Sequence, residues 1–299
     1  MVLVCALTVA GCQQAPRSDP APAPGTIERT VNVDGVARTY RVHVPGGLAG
    51  PAPLVVMLHG GGGSGAQVEQ QTGLTATADQ EGFMVAYPDG SGRSKLLTWN
   101  AGTCCGYARD QRVDDVSFIR AMLDAVAAEF RVDPARVYVT GFSNGAMMAY
   151  RLGCELTDRI TAIAPVSGAL NIEPCTPSRP LSVLHIHGDA DQNVPIAGGP
   201  PLRDVPGTPP WQNTSLAYAT DFWVRHDACP VTGTETSRGS VSTTIHAPCT
   251  DGTEVTQVVI DGGGHAWPGG IHLRAAADDP PPDPDANAVI WAFFARHHN

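Results

Sequence analysis

Apolar residues follow two alternating patterns along most of this chain. One is the short, wholly apolar run, such as LVVML at 54–58, which is typical of a strand buried on both faces of a parallel sheet. The other places apolar residues at steps of three and four, as between 114 and 130, and is typical of an amphipathic helix. Further strand-like runs lie at 83–87, 137–140, 160–166, 181–186 and 255–260, and further helix-like stretches at 144–156, 215–226 and 286–297.

The region before residue 54 has a different pattern. Two strand-like runs, 27–33 and 39–44, flank Asp34-Gly35, which is a strong hairpin signal. Strands and helices alternate from residue 54 onward, and this predicts an α/β domain with a mostly parallel sheet and helices on both faces. We expect the N-terminal hairpin to add antiparallel strands at one edge of that sheet, and the domain to extend over 27–299.

The first 26 residues predict export. Residues 1–11 are apolar but too short to span a bilayer, as in the apolar part of an export signal. Val9-Ala10-Gly11-Cys12 matches a bacterial lipobox, in which Cys12 would be lipidated. Residues 12–26 are rich in Pro and Ala and predict a semi-rigid tether between an anchor and the domain.

Charge and composition exclude several kinds of partner. The net charge is −10, and no cluster of Lys and Arg is present, which argues against a nucleic-acid partner. We expect membrane contact only through a lipid anchor at Cys12, and a cell-surface, periplasmic or secreted monomer.

Six cysteines follow Cys12, and an even count in an exported protein predicts disulfides. Cys229 and Cys249 flank one irregular stretch and are expected to pair. Neighbouring Cys104 and Cys105 are expected to find two different partners, because a bridge between adjacent residues strains the joining peptide bond. There is no C-x-x-C sequence, so neither a zinc site nor a redox motif is predicted.

The clearest chemical signal is VYVTGFSNGAM at 137–147. Here G-x-S-x-G lies between a predicted strand and a predicted helix, which is the setting of a nucleophile elbow. The turn exposes the Ser143 hydroxyl, and the helix N-terminus offers N–H groups to developing negative charge. We therefore predict that Ser143 is a nucleophile.

A run of four glycines follows the first buried strand, in HGGGGSG at 59–65. In a fold with a nucleophile elbow the oxyanion hole takes one N–H from such a loop and one from the residue after the nucleophile. The candidates are Gly61, Gly62 and Asn144. A phosphate-binding P-loop is excluded because G-K-[ST] is missing, and the G-x-G-x-x-G spacing within a glycine run is a weak match to a dinucleotide site.

The acid and the base should follow later strands. HGDADQNVP at 187–195 offers Asp189 and Asp191 where active-site groups collect in parallel sheets, and we favour Asp191, with Asp189 as a turn residue. His265 lies in a glycine-rich loop after the last predicted strand, and the order Ser143, Asp191, His265 is that of the α/β-hydrolase fold.

The other polar features are expected to be structural. His185 and His187 alternate on a predicted strand and are interpreted as buried supporting residues. The acidic stretch DDPPPDPD at 278–285 is interpreted as a solvated loop without a role in the chemistry.

Together these segments resemble the polyhydroxybutyrate-depolymerase-like esterases, a group that includes feruloyl and acetyl-xylan esterases. The resemblance extends from about residue 27 to the end. It implies an α/β-hydrolase fold with Ser143, Asp191 and His265 as nucleophile, acid and base. It also implies that Trp99 and Trp267 lie near the cleft, where an exposed ring would stack on substrate. For Trp99, packing in the core is the alternative. The matching segments are HGGGGSG (59–65), TWNAGTCCG (98–106), VDDVSFI (113–119), RVYVTGFSNGAMMAYRLGC (136–154), APVSG (164–168), HGDADQNVP (187–195) and GGGHAWPGG (262–270).

The sequence thus predicts a serine esterase that forms an acyl-enzyme and needs no metal or cofactor. The expected substrates are short or medium acyl or aryl esters, such as hydroxyalkanoate oligomers or feruloyl and acetyl esters of plant polysaccharide. The alternatives are a serine peptidase of the same fold and a non-catalytic surface lipoprotein, which a fluorophosphonate would not modify.

Overall fold

The computed structural model describes residues 24–203, 211–273 and 277–298. The predicted export signal, Cys12 and most of the predicted tether lie outside these residues. The described residues form twelve strands, seven α-helices and one short 3₁₀ turn. In chain order they are β1 (Gly25–Val33), β2 (Val36–Val44), β3 (Ala52–Leu58), α1 (Gly65–Thr72), α2 (Leu74–Glu81), β4 (Met84–Pro88), β5 (Ser91–Arg93), β6 (Leu96–Thr98), α3 (Gly106–Asp110), α4 (Asp115–Glu129), β7 (Val132–Phe142), α5 (Asn144–Glu155), β8 (Ala162–Val166), β9 (Ser182–Gly188), α6 (Leu216–His226), β10 (Thr234–Arg238), β11 (Val241–His246), the 3₁₀ turn Thr250–Gly252, β12 (Val255–Ile260) and α7 (Ala286–Phe294).

Ten strands form one sheet in the order β1-β2-β4-β3-β7-β8-β9-β12-β11-β10. The six central strands, β4 to β12 in this order, are parallel to one another. The hairpin β1–β2 lies antiparallel at one edge, and Asp34 and Gly35 at its turn have φ of 52° and 82°, as a two-residue hairpin turn of this type requires. The predicted α/β class, parallel sheet and N-terminal hairpin are confirmed.

The opposite edge carries a second antiparallel hairpin that the sequence pattern did not predict. Strands β10 and β11 pair with each other, and β11 pairs with β12. All five residues of β10 are exposed, so the strand lacks the alternation of buried and exposed positions from which a strand is recognised.

The two faces of the sheet bury separate groups of apolar side chains. Along β3, Leu54, Val56 and Leu58 pack with residues of α4, α5 and α6, whereas Val55 and Met57 pack with residues of α1, α2 and α7. Because successive side chains of a strand point to opposite faces, one wholly apolar strand serves both layers. Within the described residues, no helix has the length and apolarity needed to cross a membrane.

The structure places all six described cysteines in disulfides. The bridge predicted to close the 229–249 stretch is confirmed, but the expectation that Cys104 and Cys105 have different partners is wrong: they bond to each other. The other four cysteines that the structure describes pair among themselves. Three bridges are consistent with an oxidising compartment. The pairs are Cys104–Cys105, Cys154–Cys175 and Cys229–Cys249.

Candidate active site

Three side chains that are far apart in sequence form a hydrogen-bonded chain at the carboxyl ends of β7, β9 and β12. His265 Nε2 lies 2.9 Å from Ser143 Oγ, and His265 Nδ1 lies 2.7 Å from Asp191 Oδ2. The site residues predicted from separate motifs are therefore brought together. With the imidazole neutral, Nδ1–H donates to the carboxylate and Nε2 is left to accept the hydroxyl proton.

A sharp turn between β7 and α5 holds Ser143. Its φ of 57° is unusual for a residue with a side chain, and such backbone strain is often found at active sites. The turn requires glycines on both sides: a Cβ on Gly141 would lie 2.5 Å from the Gly145 carbonyl oxygen, and one on Gly145 would lie 2.6 Å from the His59 carbonyl oxygen. Strand, helix and glycine loop can approach this closely only without those side chains.

The loop after β9 fixes both oxygens of the Asp191 carboxylate. Oδ1 accepts hydrogen bonds from the backbone N–H groups of Asn193 and Val194, each at 2.8 Å, while Oδ2 faces His265. Burial of the side chain favours its neutral form, but attraction to His265 and hydrogen bonds from His187 and His265 outweigh burial and hold the pKa of Asp191 well below its usual range. The carboxylate therefore stays ionised throughout the physiological pH range.

Asp189 has a different place, as the sequence suggested. Its Oδ1 accepts the Gly262 N–H at 2.7 Å, which ties the loop after β9 to the loop after β12. The two loops pack closely, since a Cβ on Gly188 would clash with the backbone of Gly263. Asp189 thus aligns the two loops and does not contact His265 through its side chain.

Asp278 was not expected at the site, because its acidic, proline-rich surroundings predicted a solvated loop. That interpretation is wrong for this residue. Its Oδ2 accepts the backbone N–H of His265 at 2.7 Å, and its Oδ1 accepts from Arg203 at 2.6 Å. No local sequence signal distinguishes Asp278 from Asp279, since the difference comes from the fold of the loop against His265.

The glycine loop lies beside the nucleophile turn, since a Cβ on Gly60 would meet the Cβ of Ser143 at 3.4 Å. Asn144 is the first residue of α5, so its N–H has no partner within the helix. Among the described residues no backbone hydrogen bond occupies the Gly61 N–H, and a Cβ on Gly61 would meet Asn144 at 3.8 Å. The expectation for Gly62 is wrong, because its N–H donates to the Leu97 carbonyl oxygen at 2.7 Å.

The side chain of Asn144 holds a second loop against this site. Its Oδ1 accepts the Trp99 N–H at 2.7 Å, and its Nδ2 donates to the Trp99 carbonyl oxygen at 3.0 Å. Asn100, which follows Trp99, donates its N–H to Asp115. Asp115 also accepts a hydrogen bond from buried Arg38 at 2.8 Å. Asn144 therefore joins the nucleophile turn to the segment that carries the adjacent disulfide.

His59 stabilises the turn that begins the glycine loop. Its Nδ1–H donates to the Gly60 carbonyl oxygen at 2.8 Å, and its Nε2 accepts the Gly90 N–H at 2.9 Å. Only 1% of the residue is exposed. Burial lowers the pKa of His59 from 6.5 to about 4, although the hydrogen bond to Gly60 and the charge of Asp89 act in the opposite direction.

This pKa shift predicts acid sensitivity. In the unfolded chain His59 takes up a proton as the pH falls below 6.5, whereas folded His59 resists protonation until about pH 4. The stabilisation that neutral His59 gives the folded state is fully present above pH 6.5 and is lost as the pH falls. The free energy of unfolding should be about 3 kcal/mol lower at pH 4 for this reason alone. Urea unfolding at pH 7.5 and 4.5 should show a smaller stability loss for His59→Gln than for the wild type. Equal losses would contradict this assignment.

The site opens into a cleft of about 740 Å³. Its walls contain the glycine loop, the adjacent disulfide and polar groups of Asn193, Arg203 and Asp278. Two apolar residues of the rim are strongly exposed, Leu96 at 66% and Ile271 at 55%. The apolar and aromatic lining residues include Leu96, Tyr107, Met147, Trp211, Ile271 and Leu273.

The tryptophans implied by the resemblance do not offer exposed rings. Trp99 is 0% and Trp267 1% exposed. The Trp99 indole donates to the His59 carbonyl oxygen at 2.9 Å, and the Trp267 indole donates to Asn287 at 3.1 Å. Both support the walls of the site from inside, which corrects the expectation that they stack on substrate.

Comparison with known proteins decides the family. The sequence profile described as "Esterase PHB depolymerase" matches residues 38–211, more than half of the chain. The chain belongs to this esterase family. It is also 36% identical over 261 residues to a protein described as putative esterase NocK of Nocardia uniformis subsp. tsuyamanensis, covering 82% of this chain and 75% of that one. This esterase is accordingly a carboxylic ester hydrolase.

One further relative and one solved structure are similar to this esterase over most of its length. It is 32% identical to feruloyl esterase B of Piromyces equi over 77% of its own length, but the match spans only 42% of that longer protein. The solved acetyl xylan esterase from Aspergillus awamori superposes with a TM-score of 0.62 at 15% identity, covering 90% of this chain and 99% of that one. The structural likeness confirms the α/β-hydrolase fold.

Proposed function

We propose that this esterase hydrolyses short or medium acyl and aryl esters by two-step acyl transfer, with Ser143 as nucleophile. The observation that carries the proposal is the chain of hydrogen bonds from Ser143 through His265 to Asp191 at the strained turn. In this mechanism His265 takes the hydroxyl proton as Oγ attacks the ester carbonyl, and Asp191 stabilises the resulting imidazolium.

The oxyanion of the tetrahedral intermediate would be bound by the N–H groups of Asn144 and Gly61. The positive end of α5 adds to this stabilisation. When the intermediate collapses, His265 returns the proton to the leaving alcohol and Ser143 remains acylated. Water, deprotonated by His265, then attacks the acyl carbonyl; the acid is released and the Ser143 hydroxyl is restored.

The lining of the cleft supports the substrate class. Apolar and aromatic side chains suit an acyl chain or aryl ring, while the polar groups of Asn193 and Arg203 suit a hydroxylated alcohol. Feruloyl and acetyl esters of polysaccharide and oligomers of hydroxyalkanoates combine these two properties. The cleft volume of about 740 Å³ suits a compact acyl group together with part of the alcohol and favours such groups over long aliphatic chains.

Chain-length preference is the test of this substrate class. We expect kcat/KM for p-nitrophenyl esters to be highest for acyl chains of about two to eight carbons. It should be about tenfold lower or more for the palmitate ester, because the end of so long a chain would extend beyond the cleft into water. The panel should include methyl ferulate, acetylated xylan and hydroxybutyrate oligomers. A profile that rises steadily to palmitate, with activation at an interface, would contradict this class and indicate a lipase.

Export and anchoring are part of the proposal. The three disulfides support an oxidising compartment, and the sequence before the domain supports lipidation at Cys12, with the Pro- and Ala-rich segment after it as a tether that ends where β1 begins at Gly25. Metabolic labelling with a fatty acid should modify the wild-type chain and leave Cys12→Ala unlabelled. Equal labelling of both chains would contradict anchoring at this residue.

A further inference from the structure

A chain of buried hydrogen bonds extends beneath the acid of the proposed triad. Tyr150 Oη lies 2.5 Å from His185 Nδ1, and His185 Nε2 lies 2.8 Å from His187 Nδ1. At its end, His187 Nε2 lies 2.8 Å from the Val194 carbonyl oxygen. The three side chains are at most 2% exposed. The chain connects α5, which begins at the nucleophile turn, with the loop after β9.

The end of the chain sets the direction of its hydrogen bonds. The Val194 carbonyl oxygen can only accept, so Nε2 of His187 carries a hydrogen. When Nδ1 of His187 carries none, it accepts from Nε2–H of His185, and Nδ1 of His185 accepts from the Tyr150 hydroxyl. Burial holds the pKa of His185 well below 6.5 and raises the pKa of Tyr150, so both groups are neutral.

His187 acts on the loop that fixes Asp191. It binds the carbonyl oxygen of Val194, the residue whose N–H donates to Asp191 Oδ1 at 2.8 Å. Its Nε2 also lies 3.5 Å from Asp191 Oδ2, the oxygen that faces His265. One imidazole therefore contacts both the carboxylate and the turn that fixes its direction.

We infer that His187 is a positioning residue for the reaction: it holds Asp191 in line with His265, and Tyr150 and His185 keep it in the tautomer that does so. The inference rests on the proposed function, because holding Asp191 in line matters to the reaction only if Asp191 stabilises His265 during ester hydrolysis. If His187 took the other tautomer, an unprotonated Nε2 would face the Val194 carbonyl oxygen and the Asp191 carboxylate, and both contacts would become repulsive.

The first test compares two substitutions of His187 with full-length protein and p-nitrophenyl butyrate. His187→Leu should lower kcat about tenfold or more and change KM less than about twofold, because the acid loses alignment while His187 itself does not line the cleft. His187→Gln keeps one donor and one acceptor and should recover most of the loss. A purely structural role predicts no such separation of kcat from KM and no rescue.

His246→Leu is the matched control. His246 is also a buried histidine, and its Nδ1 bonds to the Pro230 carbonyl oxygen at 2.8 Å, but it is outside the chain of hydrogen bonds and the site. Its kcat should stay within about twofold of the wild type even where stability falls. If His187→Leu keeps wild-type kcat, or if His187→Gln is no better than His187→Leu, the inference is wrong.

A second pair of variants applies if His187→Leu does not fold. Tyr150→Phe removes only the hydroxyl that donates to His185 and so supports the tautomer of His187, and Tyr138→Phe removes a buried hydroxyl that donates to the His297 carbonyl oxygen. We expect kcat to fall about threefold or more in the first and to change less than twofold in the second. Equal kcat values would overturn the inference. A wild type without esterase activity, or an active Ser143→Ala, would instead refute the proposed function.

Discussion

Ser143→Ala should lower kcat for a soluble ester by at least about a thousandfold while the unfolding midpoint stays close to that of the wild type. The substitution removes the only atom that can attack the carbonyl in the proposed mechanism. The Ser143 hydroxyl makes no capping hydrogen bond to α5, so its loss leaves the helix start intact. Residual hydrolysis would come from the oxyanion donors and from binding.

Ser237→Ala is the matched control for this substitution. Ser237 lies on the exposed hairpin at the edge of the sheet, and among the described residues its hydroxyl bonds only to Ser242. Ser237→Ala should keep the wild-type kcat. This result would show that the lower kcat of Ser143→Ala is not a general effect of replacing a serine by alanine. Near-native turnover by Ser143→Ala would show that the nucleophile has been wrongly assigned.

Asp191→Asn should lower kcat by about a thousandfold or more, as expected when the acid of a triad loses its charge. The asparagine keeps the shape of the side chain. It can offer an N–H to His265 Nδ1, and this favours the tautomer in which Nε2 carries the hydrogen and cannot accept the Ser143 proton. Kinetics should be measured over a range of pH, and the loss should persist throughout.

Asp189→Asn tests whether the choice between the two acids is right. The asparagine carbonyl oxygen can still accept the Gly262 N–H, so the contact between the two loops survives. We expect kcat within about threefold of the wild type. A larger loss for Asp189→Asn than for Asp191→Asn would show that the hydrogen bond from His265 to Asp191 does not carry the function assigned to it.

The features that could be predicted from sequence are those determined by local chemistry. A wholly apolar run identifies a central strand because both faces of that strand are covered, as for β3. The elbow around Ser143 is recognisable because its turn tolerates only glycine at nearby positions. Chain order then gave the histidine and the acid, since each follows its own strand.

The features that could not be predicted depend on contacts between distant segments. The sequence suggested the Gly62 N–H as an oxyanion donor, but β6 lies close enough for the Leu97 carbonyl oxygen to accept a hydrogen bond from it. Asp278 belongs to a stretch with the composition of a solvated loop, and only its contact with the backbone of His265 gives it a role. Trp99 has the same residue type as a stacking platform, and its burial decides against that role.

The most direct test that Ser143 is the nucleophile is covalent labelling of the active protein with a fluorophosphonate, followed by intact-mass measurement and peptide mapping. A phosphonate binds the serine that a neutral histidine activates and mimics the tetrahedral intermediate in the oxyanion hole. With Ser143 as the nucleophile we expect one adduct per chain, located on Ser143, loss of esterase activity in proportion to labelling, and no adduct on Ser143→Ala. An unmodified chain that still hydrolyses esters, or an adduct on another residue, would contradict this assignment.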